Sequence, residues 1–129
     1  GLNGTGFPVI AAGGPGQVAL GYLGDSGGDT WNGYLTVISD AFGTMPLMTT
    51  VQVNAWGDPL DVSADCGYNR CGGFGDFNDI VIDQHGRAWF GLAHNVGGEI
   101  GIFGTMTVGP SLRGNGTLTE MPLGGPSTL

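Results

Sequence analysis

The sequence predicts an all-β chain built as two four-stranded antiparallel β-propeller blades, and three observations carry that expectation. Apolar runs of strand length alternate with turns rich in Gly, Asn and Asp. No stretch sustains a 3.6-residue apolar period, and glycine, 28 of 129 residues, interrupts every candidate helix. Displaced by 70 residues the chain aligns with itself: FPVIAAGGPGQVALGYLGD (Phe7–Asp25) falls without a gap on FNDIVIDQHGRAWFGLAHN (Phe77–Asn95).

The clearest local element is the hairpin in GDFNDIVIDQHGRAWFGLAHN. Ile80–Ile82 and Ala88–Leu92 flank the turn Asp83–Gly86, as two antiparallel strands around a Gly-containing turn should. A lone hairpin cannot bury its faces, so it needs neighbours, and the self-alignment supplies them. Phe7 falls on Phe77, Ile10 on Ile80, Gly16 on Gly86, Leu20 on Phe90 and Gly21 on Gly91. After a one-residue slip WNGYLTV (Trp31–Val37) lies on IFGTMTV (Ile102–Val108), matching Gly33 with Gly104 and Thr36 with Thr107.

The first repeat then holds strands at Pro8–Ala12, Gln17–Leu23, Trp31–Ile38 and Leu47–Asn54. The second holds Phe77–Ile82, Ala88–His94, Ile100–Val108 and roughly Thr117–Leu123. Four short antiparallel strands per repeat describe a propeller blade. A β-sandwich also accommodates eight strands but does not predict a strand-by-strand duplication. The expected organisation is a first blade over 1–54, a loop over 55–76, and a second blade with a C-terminal tail over 77–129.

Composition bounds the function. Eleven carboxylates stand against Arg70, Arg87 and Arg113, with no lysine, for a formal charge of −8. No basic stripe exists to neutralise phosphates, so neither nucleic acid nor an anionic membrane surface is an expected partner. No apolar run reaches the ~18 residues of a membrane-spanning helix, so membrane insertion is not expected either. The chain starts at Gly1, as a processed product or part of a longer protein would. Asn3-Gly4-Thr5 and Asn115-Gly116-Thr117 are sequons, making Asn3 and Asn115 candidate glycosylation sites.

The stretches FPVIAAGGPGQVALGYLGD, WNGYLTVISDAFG and CGYNRCGGFGDFNDIVIDQHGRAWFGLAHN resemble the later blades of secreted sialidase-like (BNR/Asp-box) β-propeller proteins. A Phe-Pro strand leading to a Gly turn, and a Cys pair before an Asp-Phe strand, carry the resemblance from Gly6 to about Asn95. It implies a propeller fold and a secreted, extracellular or cell-surface setting. It implies an activity much less, because fold and function are separable. The Asp-box turn survives only in outline in SDAFGTM (Ser39–Met45), which keeps Asp40, Gly43 and Thr44 but lacks the Trp.

In such a propeller Ala55–Asp76, Gly24–Thr30 and Asn95–Glu99 share one face, and the turns Gly13–Gly16 and Asp83–Gly86 share the opposite one. The long loop WGDPLDVSADCGYNRCGGFGD is therefore the expected functional region. Cys66 and Cys71 read as a disulfide, worth about 2 kcal/mol by loop entropy; zinc lacks a second Cys pair. Candidate ligand-binding residues are Trp56, Tyr68, Arg70, Asp76 and Asp79. Tyr68, Arg70 and the two carboxylates offer the parts of a sialidase site, which needs a Tyr nucleophile, a carboxylic acid/base and an arginine triad. Arg87 and Arg113 are expected on the other face, leaving at most one triad arginine, and Asp-Phe-Asn-Asp equally caps backbone N–H groups. Asp58, Asp61 and Asp65 are candidate calcium ligands without an EF-hand spacing, and no other cofactor is implied.

Trp56 and Tyr68 lie in the long loop, where a sugar can stack on them, but burial beneath the loop is the stronger expectation. Trp31, Trp89, Phe90 and Phe103 are expected in the core between blades, His85 in a solvated turn, and His94 hydrogen-bonded at a strand end. Two blades leave two apolar faces uncovered, so the expected partner is a further copy of the chain or another chain supplying the remaining blades. Three function classes follow: a non-catalytic extracellular propeller module with a structural or assembly role, a glycan-binding module, and a fragment of a sialidase-like glycoside hydrolase.

Overall fold

A computed structural model describes residues 1–61, 78–94 and 100–119. Among these residues the chain is all-β, with two antiparallel sheets of four and three strands and no helix. The first sheet is a meander in the order β1 (Gly4–Ala12), β2 (Val18–Asp25), β3 (Trp31–Ile38) and β4 (Met48–Gln52). The second has the order β5 (Asp79–Ile82), β6 (Ala88–His94) and β7 (Ile100–Thr105). Of the expected eighth strand, Thr117–Leu123, only a single bridge between Thr117 and Pro110 forms; Leu118 and Thr119 are not in a strand, and 120–123 fall outside the described residues.

The first strand starts earlier than the Phe-Pro pair suggests. Gly4, Thr5 and Gly6 pair with Asp25, Gly24 and Leu23 before a β-bulge shifts the register between Gly6 and Val9. Phe7 sits in that bulge with φ of 52°, a conformation costly for an aromatic residue. Asn78 Nδ2 donates to Phe7 O at 2.7 Å and ties the bulge to the approach of β5.

The hairpins of the two repeats match at the 70-residue spacing. Ile10 pairs with Leu20 as Ile80 pairs with Phe90, and Ala12 with Val18 as Ile82 with Ala88. Both turns close with the same bond, Gly13 N to Gln17 O and Asp83 N to Arg87 O. Both also need a left-handed residue, Gly16 at 72° and Gly86 at 81°. The turn after each third strand docks on that glycine: Ala41 N donates to Gly16 O and Leu112 N to Gly86 O, each at 2.8 Å.

The third strands differ from the sequence alignment. Pairing sets Leu35 opposite Gly21 and Phe103 opposite Gly91, so Leu35 and Phe103 are equivalent, three residues away from the alignment of Trp31 with Ile102. The extra residues lie after β7, where Met106–Gly109 leave the strand before the corner at Ser111 and Leu112 restores the match.

One core lies between the sheets. Ala19, Leu23, Leu35 and Val37 of the first face Ile80, Phe90 and Leu92 of the second. Glycines set how closely the sheets approach: a Cβ on Gly33 would sit 2.6 Å from Leu92 Cδ2, and one on Gly21 would overlap the Phe90 ring. The first repeat uses the opposite face from the second. Ala19 is fully buried, whereas its equivalent Trp89 lies on the outer face beside the exposed Val81; inward-facing Phe90 and Leu92 are equivalent to outward-facing Leu20 and Tyr22. Phe103, expected in the core, is 75% exposed because its pairing position places it on the outer face of β7.

Candidate functional site

The loops at one end of the stack are held by a buried amide ladder. After β4, Asn54 is 4% exposed; its Oδ1 accepts Gly33 N–H at 2.8 Å, and its Nδ2 donates to Asn32 Oδ1 at 2.8 Å and Asp58 O at 2.9 Å. Both the oxygen and the nitrogen of that amide thus have partners, as burial demands. Leu60 N donates to Trp31 O, so the stretch 54–60 folds back along the start of β3. The neighbouring β2–β3 turn is organised by Asp25, whose Oδ1 accepts the N–H groups of Gly27 and Thr30 at 2.8 and 3.0 Å.

The second sheet reaches this end through His94. Its ring is buried, and Nε2 lies 3.1 Å from Asp58 Oδ2, while the Asp58 side chain is about half exposed. A buried imidazole against a wet carboxylate is a strut between β6 and the loop. Only Asp58 of the pair faces solvent, so the arrangement presents a carboxylate acceptor with the imidazole behind it. Trp56, two residues before Asp58, is 89% exposed. The expectation of burial beneath the loop does not hold for it; Gly57, at φ of 78°, turns the chain there and leaves the indole outside.

The described part of the loop thus sets Asp58 against His94, with the exposed Trp56 two residues before Asp58 and the half-buried Asp61 three residues after it. Asp79 is exposed, and its Oδ1 accepts the N–H of Ile80 at 2.8 Å, a local backbone cap. Tyr68, Arg70 and Asp76, the third calcium candidate Asp65, and the Cys66–Cys71 pair lie outside the described residues. Among the described residues no three His, Cys, Asp or Glu side chains gather as a metal site. Both sequon asparagines, Asn3 and Asn115, are exposed. The His94–Asp58 contact was not legible in the sequence, because the two residues are 36 positions apart and neither belongs to a motif.

The remaining described cations serve the opposite end. Arg87 is 5% exposed; its Nε donates to Met106 O at 3.3 Å and its Nη2 to Thr119 O at 2.6 Å. Arg113 Nε and Nη2 donate to Asp83 O and Ile82 O at 2.7 and 3.2 Å. Asp83 anchors the β5–β6 turn, with Oδ1 accepting His85 N and Arg87 N and Oδ2 accepting Trp89 Nε1 at 3.0 Å. Desolvation works to raise its pKa, but the Trp89 bond, the two backbone N–H groups and the Arg87 charge together outweigh it and hold the carboxyl below its ordinary value.

Comparison with family models, curated proteins and solved structures found no significant match, so the geometry of these residues stands on its own.

Proposed function

We propose that this chain is a non-catalytic β-propeller module of the cell exterior with a structural, assembly-forming role. One observation carries the propeller reading over a sandwich: the two repeats stack head to tail. In a sandwich of two equivalent sheets the same face of each repeat turns inward; in a propeller each blade lays one face on the opposite face of the next. Here the face of Ala19 and Leu23 covers the face of Phe90 and Leu92, whose equivalents in the first repeat point outward. The contacts of β5 with β1 and β2, and of β6 with β3, support a blade-like stack with first strands adjacent.

Head-to-tail stacking leaves one unlike face at each end of the chain. Ile10 is 67% exposed on the first sheet, and Val81 and Phe103 are 55% and 75% exposed on the second. Each 100 Å² of such apolar area left in water costs about 2.5 kcal/mol, a large share of a small domain's stability. The charge of −8 opposes association, but at physiological salt its repulsion is screened over ~8 Å. Native mass spectrometry and light scattering test the assembly role. Masses above the monomer are expected, and a cooperatively melting monomer at every concentration would sink it.

A non-catalytic role is supported by the commitment of Arg87 and Arg113 to backbone carbonyls at the end opposite Trp56. A fluorogenic sialoside should not be turned over, and turnover abolished by Arg70→Ala would overturn that conclusion. The exposure of Trp56 beside Asp58 favours one secondary reading, a glycan contact at this end, since an uncovered indole offers a stacking face. Quenching of indole fluorescence by oligosaccharides, lost in Trp56→Ala, is its test.

A further inference from the structure

We infer that the outer face of the second sheet receives the outer face of the first sheet of another copy of this chain, repeating the interface already present inside each molecule. This rests on the assembly role proposed above and specifies its partner and geometry.

Within the chain, Phe90 and Leu92 enter notches left by Gly21 and Gly33. The repeat carries both halves of that arrangement to the free faces. The residues equivalent to Phe90 and Leu92 are Leu20 and Tyr22, which lie on the outer face of the first sheet and border an open groove of about 340 Å³ with Thr5, Gly6 and Pro8. The notches equivalent to Gly21 and Gly33 are Gly91 and Gly101: Leu23 pairs with Gly33 as Ala93 pairs with Gly101.

The free notches are open or openable. Beyond its two chain neighbours, no heavy atom lies within 4 Å of the position a Cβ would take on Gly101. The notch at Gly91 is covered by the Phe103 ring, 2.8 Å from the same position, and that ring is itself 75% exposed. Phe103 is the pairing equivalent of Leu35, which is fully buried in the internal interface, so docking gives Phe103 the environment its counterpart already has. Leu20, Tyr22 and Tyr34 on one side and Trp89, Gly101 and Phe103 on the other are all uncharged. Asp79, paired with Gly91, puts one exposed carboxylate on the second-sheet face at its β5 edge, and the uncharged Leu20, Tyr22 and Tyr34 opposite do not repel it.

Unlike faces in head-to-tail contact build rings when the rotation closes. With propellers of about 4–8 blades and two blades per chain, closure takes about two to four copies.

The test is complementation between face variants of the whole chain. Leu20→Arg alters only the first-sheet face and Phe103→Arg only the second-sheet face, and each alone should reduce the native mass to that of a monomer. Mixed, they retain one intact pair of unlike faces and should give a capped dimer and nothing larger. A variant that does not melt cooperatively is replaced by the wild-type surface carrying Tyr22→p-benzoylphenylalanine, whose intermolecular photocrosslinks should map to residues 100–105. If Phe103→Arg dissociates the assembly while Leu20→Arg leaves it intact, or the crosslinks map elsewhere, this interface is wrong although the assembly role survives. A wild-type chain that is monomeric throughout overturns both.

Discussion

Replacing Gly21 with alanine probes the sheet-to-sheet contact directly, because its position is closed by a group that cannot move. The added Cβ would lie 2.8 Å from Phe90 Cγ and closer to the edge of the ring, and Phe90 is fully buried. Overpacking of this kind costs about 1–3 kcal/mol, while alanine in place of a strand glycine recovers about 0.5–1 kcal/mol. The net expectation is a destabilisation of about 1–2 kcal/mol, a fall in Tm of about 4–8 °C for a domain of this size. Gly91→Ala is the matched control. Its Cβ also meets an aromatic ring at 2.8 Å, but that ring belongs to the exposed Phe103 and swings aside, so Tm should hold or rise slightly. Both are compared by thermal and urea unfolding in the Leu20→Arg background, where association between copies does not contribute. Equal effects at the two positions would refute the claim that the buried ring, rather than loss of a strand glycine, sets the cost.

Asp83→Asn should lower stability by about 1–2 kcal/mol at neutral pH, since the carboxylate accepts three N–H groups. Because folding lowers its pKa, the stabilisation is complete above the ordinary value of 3.8 and fades as pH falls through the folded value, so unfolding curves of variant and wild type should converge in acid. Asn54→Leu should cost about 2–4 kcal/mol by orphaning Gly33 N–H and the side-chain oxygen of Asn32; a neutral result in urea unfolding contradicts the ladder. Cys66 and Cys71 should resist alkylation until reduced, and labelling of both without reductant would remove the disulfide expectation.

Turn chemistry and hairpin register were legible in the sequence because both are local. Gly16 and Gly86 mark positive φ, and the 70-residue spacing holds through both hairpins. The third strands were not, because register there is decided by pairing with β2 and β6, and three residues absorbed after β7 are invisible to an alignment that matches Gly with Gly. That slip also explains Phe103: moving a strand by an odd number of residues exchanges its faces, so a side chain read as core emerges on the surface. Trp56 failed for another reason. Large aromatics are usually buried, but Gly57 bends the loop at the residue where burial would have required it to continue. Buried Arg87 and Gln17 were also missed, since their carbonyl partners lie in a segment without secondary structure.

Gln17 and Arg87 occupy equivalent positions, and both end their side chains on the stretch after β7. Gln17 Nε2 donates to Ser111 O and to Gly114 O, the latter 97 positions along the chain, while Arg87 reaches Met106 O and Thr119 O. One late segment is thereby clasped by the turns of both repeats. Repeat arrays ordinarily unravel from their ends, one unit at a time. Here the first hairpin cannot loosen without releasing the last described segment, and that segment cannot detach without exposing a guanidinium and an amide that have lost their acceptors. The amides of Leu112 and Ala41 should therefore exchange with solvent only in the global opening, giving two repeats the unfolding behaviour of a single body.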